Sequence, residues 1–253
     1  MTILNDITVY ADSPNQSDKA EQLAQHLSLA VSNMLTNDKP QLLVSEAHIA
    51  VTSPELGKPI WIDFTQGKNA HRRQFGGGRG QALGKAIGLK KGATPTILDA
   101  TAGYGRDAFV LATLGCHITL IERNPILATL LEDAINRAQN DPETQDIVKN
   151  MQLIHQNSVD YLAQLSPEQY PDVVYIDPMY PSRQKAALVK KEMQLLHQLI
   201  GPDTDSSELL KAARKSAKKR VVIKRPKTAL PINEQKPSTT VESKNTRYDV
   251  YVS

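Results

Sequence analysis

The spacing of apolar residues changes character near residue 94 of the 253-residue chain. Beyond that point short apolar runs alternate with longer stretches of helical period, the pattern of βα units. Strands are predicted over 96–99, 117–122, 151–155, 172–176 and 220–224. Helices are predicted over 106–114, 125–140, 158–165, 185–200 and 207–216, with Gly115 ending the first and Pro125 opening the second. The last segment, 248–252, alternates like an exposed or edge strand. Upstream of residue 68 the pattern differs: short strands over 7–10, 41–44, 47–52 and 60–63, and one helix over 18–35 that Ser17 or Asp18 would cap. A short helix over 81–87 follows a basic, glycine-rich connector. The predicted fold class is α/β, a doubly wound and mostly parallel sheet over 68–253, with a small α+β appendage over 1–67. In such sheets ligands sit at the carboxyl ends of the strands, near the point where strand order reverses.

The residues at those strand ends carry the candidate chemistry. Asp99-Ala-Thr-Ala-Gly103-Tyr-Gly105-Arg106-Asp107 leaves the first strand and opens a helix. Its glycines permit positive φ and close backbone approach to a ligand. A dinucleotide fingerprint would place a third glycine where this chain has Ala108. Asp99 and Asp107 bring two carboxylates to the loop, which repel a pyrophosphate and attract a sulfonium. The loop therefore favours S-adenosylmethionine over NAD. Glu122, at the end of the second strand, can accept both hydroxyls of a ribose. Asn157 and Ser158 follow the third strand, where they would reach an adenine edge. The fourth strand runs into Asp177-Pro178-Met179-Tyr180-Pro181. An exocyclic amine needs acceptors, which the Asp177 carboxylate and the Pro178 carbonyl supply, and Tyr180 offers a ring for stacking a base.

Charge adds a partner to this picture. Residues 68–91 hold seven basic side chains and no acidic ones, and residues 183–227 hold thirteen basic and four acidic. Between them, residues 92–182 hold four basic and twelve acidic. Two basic blocks flanking an acidic middle suggest a polyanion. One cysteine, Cys116, rules out a disulfide scaffold or a thiolate zinc cluster, and histidines 26, 48, 71, 117, 155 and 197 show no metal-ligand spacing. The absence of an apolar run of membrane length and of a signal-like start makes the cytoplasm the expected compartment, and no metal is expected.

The segments HRRQFGGGRGQALGKAIG, LDATAGYGRDAFVLATLGC, LIERNP, YIDPMYP, ALVKKEM and RVVIKRP together resemble the ribosomal small-subunit methyltransferase J family, from about residue 68 to 252. Methyltransferases acting on exocyclic amines typically carry N/D-P-P-Y/F/W; here Met179 replaces the second proline. The resemblance implies a Rossmann-like class I methyltransferase fold and methylation of guanine N2 in 16S ribosomal RNA, with S-adenosylmethionine as cofactor. It implies that Arg106 and Asp107 contact the cofactor, that Glu122 and Arg123 lie at its ribose, and that Asn157 and Ser158 flank its adenine. Asp177 would open the target-base motif and border the cofactor, with Pro178 and Tyr180 beside it. The 75–80 segment would close over the methionine end. Arg72, Arg73, Arg79, Arg183, Lys185, Lys224 and Arg225 are the expected RNA contacts, with Lys190, Lys191 and Lys227 nearby. The competing readings are an adenine-N6 methyltransferase on RNA or DNA, an NAD-dependent oxidoreductase, and a non-catalytic RNA-binding module on the same fold.

Overall fold

A computed structural model describes residues 7–36, 38–54, 57–67, 78–89, 92, 94–179 and 205–253. The first of its two sheets contains β1 (Thr8–Ala11), β2 (Ala30–Ser32), β3 (Gln41–Val44) and β4 (Ile49–Thr52), in the order β2-β1-β3-β4. Only β3 and β4 pair antiparallel. The helix α1 (Ser17–Leu27) connects β1 to β2 and is shorter than its apolar pattern predicts. Ser28 adopts φ 55°, its N–H returns to the carbonyls of Ala24 and Gln25, and Leu29 N–H bonds the Ala24 carbonyl. This left-handed ending closes the helix and releases the next residues to pair with β1. Neither Ser17 nor Asp18 caps it; the chain enters through a 3₁₀ turn over Pro14–Gln16, with Gln16 at the cap position. The strand predicted over 60–63 is reduced to a single bridge between Val51 and Ile60. The Asp63 carboxylate then accepts from the amides of Thr65 and Gln66 and turns the chain away.

The second sheet contains β5 (Thr96–Asp99), β6 (His117–Glu122), β7 (Met151–His155), β8 (Val173–Ile176), β9 (Arg220–Pro226), β10 (Thr239–Glu242) and β11 (Thr246–Val252). Its order is β10-β11-β9-β8-β5-β6-β7, parallel from β9 through β7. The predicted edge strand is an inner one. β11 lies antiparallel between β9 and β10, and the unpredicted β10 takes the edge. Asp249 gave β11 its polar alternation, yet it is fully buried because Arg247 meets its carboxylate at 2.6 and 3.1 Å. A charge paired in this way can enter an interior that would reject it alone.

Helices cover both faces: α2 (Ala82–Ile87), α3 (Arg106–Thr113), α4 (Pro125–Gln139), α5 (Gln145–Val148), α6 (Ser158–Gln164) and α7 (Ser206–Ser216). The helix predicted over 185–200 lies outside the described residues. Asn124 starts α4 by accepting from the amides of Ile126 and Leu127, with Pro125 in the first turn. Leu98, Ile121, Val174, Leu210 and Ile223 pack on one face of the large sheet. On the other face a larger cluster runs from Phe109, Leu120 and Leu131 into Val9, Leu42 and Phe64, so the two sheets share one apolar interior. Phe64 stacks on Phe109 with ring centroids 4.7 Å apart, a contact worth about 0.5–1.5 kcal/mol beyond its buried area. Arg137 on α4 donates to the Ile62 carbonyl. In the large sheet, strand order reverses between β5 and β8, which leaves a crevice at their carboxyl ends.

Candidate active site

The loops after β5, β6, β7 and β8 converge on one cleft in that crevice. Asp99, the last residue of β5, is 2% exposed and accepts the Thr101 amide at 3.1 Å. Burial pushes its carboxyl up to about 8. The Thr101 amide opposes this, and the carboxylates of Asp107, Asp177 and Glu122 reinforce it. The folded value lies above the unfolded one, so the native protein holds an extra proton between about pH 4 and about pH 8. That stabilisation is complete below the unfolded value and is lost as pH rises through the folded one. Asp99→Asn keeps an acceptor for Thr101 and removes the titration. Urea unfolding at about pH 5 and about pH 8 should show a smaller pH dependence in this variant than in the wild type.

Two glycines shape the loop that follows. Gly103 has φ 53° and Gly105 φ 65°, a region costly for other residues. A Cβ on Gly105 would stand 2.8 Å from Leu131 Cδ1 and 3.1 Å from Phe64 Cζ, so this position is closed by packing. A Cβ on Gly103 would meet nothing nearer than the Thr101 carbonyl at 3.8 Å. Gly103 therefore leaves open space above the loop for a ligand. Its amide donates to Glu122 Oε2 at 2.9 Å, and the Asn124 amide donates to Glu122 Oε1 at 2.8 Å. Both oxygens of this acid, itself 4% exposed, are thus oriented at the end of β6. Arg123 is ion-paired with Asp205 at 2.6 Å on the rim. The Arg106 guanidinium lies 4.9 Å from the ring centroid of Tyr104. Asn157, not Ser158, caps α6 by accepting from the amides of Val159 and Asp160, while the Ser158 hydroxyl donates to the Ala100 carbonyl at 2.6 Å. The loop after β7 is thereby tied to the loop after β5.

The Asp177 amide donates to Thr101 Oγ1 at 2.6 Å. Lys224 Nζ, from β9, donates to Asp107 Oδ2 and to Asp177 Oδ2, each at 2.8 Å. The Tyr175 hydroxyl donates to Asp107 Oδ2 at 2.7 Å. Burial alone would lower the Lys224 pKa, but Asp107 and Asp177 outweigh it and raise it above the ordinary lysine value. Burial, followed by the charges of Asp107 and Asp177, also raises Tyr175 well above the usual tyrosine range.

Asp99, Gly103, Arg106, Asp107, Glu122, Arg123, Asn157, Ser158, Asp177 and Pro178 all line this cleft, and Gly105 packs beneath it. Tyr180, Arg72, Arg73, Arg183, Lys185, Lys190 and Lys191 lie outside the described residues, as does the 75–77 part of the glycine-rich segment. Three further residues expected at the RNA make hydrogen bonds within the protein. Lys224 faces the cleft and its two carboxylates, Arg225 is 8% exposed and donates to the Leu230 carbonyl, and Arg79 donates to the Leu114 carbonyl at 3.0 Å. Lys224 and Arg225 belong to a strand covered on both faces, which draws their heads towards internal acceptors. Lining residues that the sequence reading missed include Thr101, Tyr175, Asp205 and Leu209. Tyr175 had a readable signal, since a lone hydroxyl inside a buried strand requires a partner.

The donor set fits S-adenosylmethionine. Five carboxyl groups line a cleft that has room above Gly103, Glu122 presents two fixed acceptors for a diol, and Ile121, Val159 and Leu209 form apolar wall suited to a flat ring. A sulfonium gains from such an acidic setting, and a pyrophosphate would be repelled. No cluster of metal-ligand type occurs among the described residues.

Comparison with known proteins agrees with this geometry. A family model for SAM-dependent methyltransferases matches residues 22–253. A protein described as ribosomal RNA small subunit methyltransferase J from Aeromonas salmonicida (strain A449) is 49% identical over 250 residues, covering 96% of each chain. One of the same description from Tolumonas auensis is 48% identical over 97% of this chain and 98% of its own. Among solved structures, a SAM-dependent methyltransferase from Neisseria gonorrhoeae superposes with a TM-score of 0.78 at 34% identity, covering 97% of this chain and 95% of that one.

Proposed function

We infer the reaction from one premise: the chain belongs to the ribosomal RNA small subunit methyltransferase J family, and is an S-adenosylmethionine-dependent methyltransferase. Its substrate in this reading is the RNA of the small ribosomal subunit, and its target is the exocyclic N2 amine of one guanosine. The observation that supports an exocyclic amine as target is Asp177 with Pro178 at the end of β8, lining the same cleft as the Gly103 loop; the choice of guanine N2 over adenine N6 rests on the family resemblance. An exocyclic amine presents N–H donors, and the Asp177 carboxylate and the Pro178 carbonyl are the acceptors offered to it. Accepting those hydrogens turns the nitrogen lone pair towards the cofactor side of the cleft. A target base must be unpaired or flipped to reach this depth, and the Tyr180 ring provides stacking worth roughly 1–3 kcal/mol.

Bound S-adenosylmethionine supplies an electrophilic methyl group on a sulfonium. The chain supplies alignment. Glu122 holds the ribose hydroxyls, Asn157 and Ser158 border the adenine, and Arg106 and Asp107 flank the loop at the cofactor. Arg72, Arg73, Arg183 and Lys185 serve the RNA phosphates, which fix register without reading sequence. The same reading puts the protein in the cytoplasm with its ribosomal RNA. No helix among the described residues is long and apolar enough to cross a membrane.

The test is methyl transfer from radiolabelled S-adenosylmethionine to small subunits lacking the modification, naked ribosomal RNA, tRNA and DNA, followed by nucleoside digestion. The expected product is N2-methylguanosine from small-subunit RNA. Label on adenine N6 would overturn the base assignment. No label on any substrate, with cofactor binding intact, would overturn catalysis in favour of an RNA-binding module.

A further inference from the structure

We propose that Lys224 is a positioning residue for methyl transfer, its ammonium fastening the cofactor-side carboxylate of Asp107 to the target-side carboxylate of Asp177. The inference rests on the reading of Asp177 as the amine acceptor. Lys224 Nζ reaches Asp107 Oδ2 and Asp177 Oδ2 at the same 2.8 Å. Asp107 stands in the first turn of α3, which follows the glycine loop, and Asp177 follows β8. The two carboxylates thus come from different elements that line the same cleft, and β9 joins them by one side chain.

Three further contacts make the arrangement a frame. The Tyr175 hydroxyl takes the same Asp107 oxygen, Thr101 receives the Asp177 amide, and Asp99 lies beneath with its own link to Thr101. Without the ammonium, the carboxylates of Asp107 and Asp177 would repel one another, and Asp177 would either swing towards water or take up a proton. Either change removes it as an acceptor for the amine. The Lys224 side chain is only 25% exposed, and its ammonium is held against the carboxylates of Asp107 and Asp177. Its action is therefore on the orientation and ionisation of Asp177, not on RNA affinity.

The experiment compares Lys224→Met, Lys224→Arg, Asp177→Asn and the double variant Lys224→Met with Asp177→Asn. Single-turnover methyl transfer in Lys224→Met should fall about thirtyfold or more, because orientation is lost at the reacting nitrogen. RNA KM and the affinity for S-adenosylhomocysteine should stay within a few-fold, and Lys224→Arg should recover part of the rate by retaining the charge. In the double variant the lysine change should add little to the loss from Asp177→Asn, as expected when one residue acts through the other.

Carbon-13 NMR of the carboxyls gives a readout without catalysis. The titration midpoints of Asp107 and Asp177 should move upward in Lys224→Met. The groups that also face this pair are Asp99 from β5 and Tyr175 from β8, which in turn feel Glu122 and Tyr248, and all are retained. The proposal is overturned if Lys224→Met keeps its rate. It is equally overturned if that variant loses RNA affinity together with about one unit of the salt slope, which marks a phosphate contact. If the wild type forms no N2-methylguanosine while the NMR midpoints still move, the base assignment fails and the carboxylate frame stands.

Discussion

Asp177→Ala should lower methyl transfer by about 10³-fold or more, with S-adenosylhomocysteine still binding within a few-fold of the wild type. In the proposed reading the substitution removes the acceptor beside the reacting nitrogen and leaves Glu122 and its end of the cleft intact. Folding should survive. The Asp177 amide bond to Thr101 belongs to the backbone, and the side chain is 36% exposed, so its ion pair with Lys224 is partly screened. The stability change should be of the order of 1 kcal/mol. Asp177→Asn separates two roles of the carboxylate. It retains one acceptor oxygen and loses the charge, so its rate should fall between the wild type and alanine. Single-turnover rates, calorimetry with S-adenosylhomocysteine and a thermal melt measure all three. Retention of more than about a tenth of wild-type rate in the alanine variant would sink the assignment.

The second large effect is on cofactor affinity. Glu122→Ala should weaken S-adenosylhomocysteine binding about 100-fold or more, since two charge-assisted hydrogen bonds to a ribose diol are lost together. It also leaves the Gly103 and Asn124 amides without their acceptor, at about 1–3 kcal/mol for each that stays dry. Burial raises the Glu122 pKa above the ordinary glutamate value, and the amides of Asn124 and Gly103 only partly oppose it. The native state therefore retains the proton at higher pH than the unfolded chain does. The associated stability is present at low pH and is lost as pH rises through the folded value. Ligand affinity runs the other way, because only the ionised acid offers four acceptor positions. Calorimetry across acid to neutral pH should show tighter binding as Glu122 ionises, and Glu122→Gln should bind weakly at every pH. A glutamine variant that binds like the wild type would remove Glu122 from the ribose.

Asp99, Glu122 and Asp177 are legible in the sequence for a physical reason. Each directly follows an apolar run, and a parallel sheet exposes its functional groups at the carboxyl ends of such runs. The predicted strands 96–99, 117–122 and 151–155 are β5, β6 and β7 in full. Lys224 is not legible in this way. In RVVIKRP three cations bracket three apolar residues, and a strand covered on both faces can draw any of them inward. Which one turns depends on Asp107 and Asp177, more than forty residues away in the chain. The same applies to Asp249, whose burial depends on Arg247 and on the late insertion of β11 between β9 and β10. The end of α1 is hidden for a local reason. Ser28 takes a left-handed conformation more usual for glycine, so the apolar spacing runs past the true stop.

Phe64 sets a limit on how this chain could be recombined. It is contributed by the stretch before the connector, yet it stacks on Phe109 of α3 and stands where a side chain on Gly105 would have to go. A chimera that joined residues 68–253 to a different leading unit would have a hollow under the turn that carries Gly103 and Gly105. Matching the charge of the original unit would not fill it. A usable graft would have to bring an aromatic plug of the same reach, so the leading stretch is a fitted part of the catalytic scaffold and not an exchangeable module.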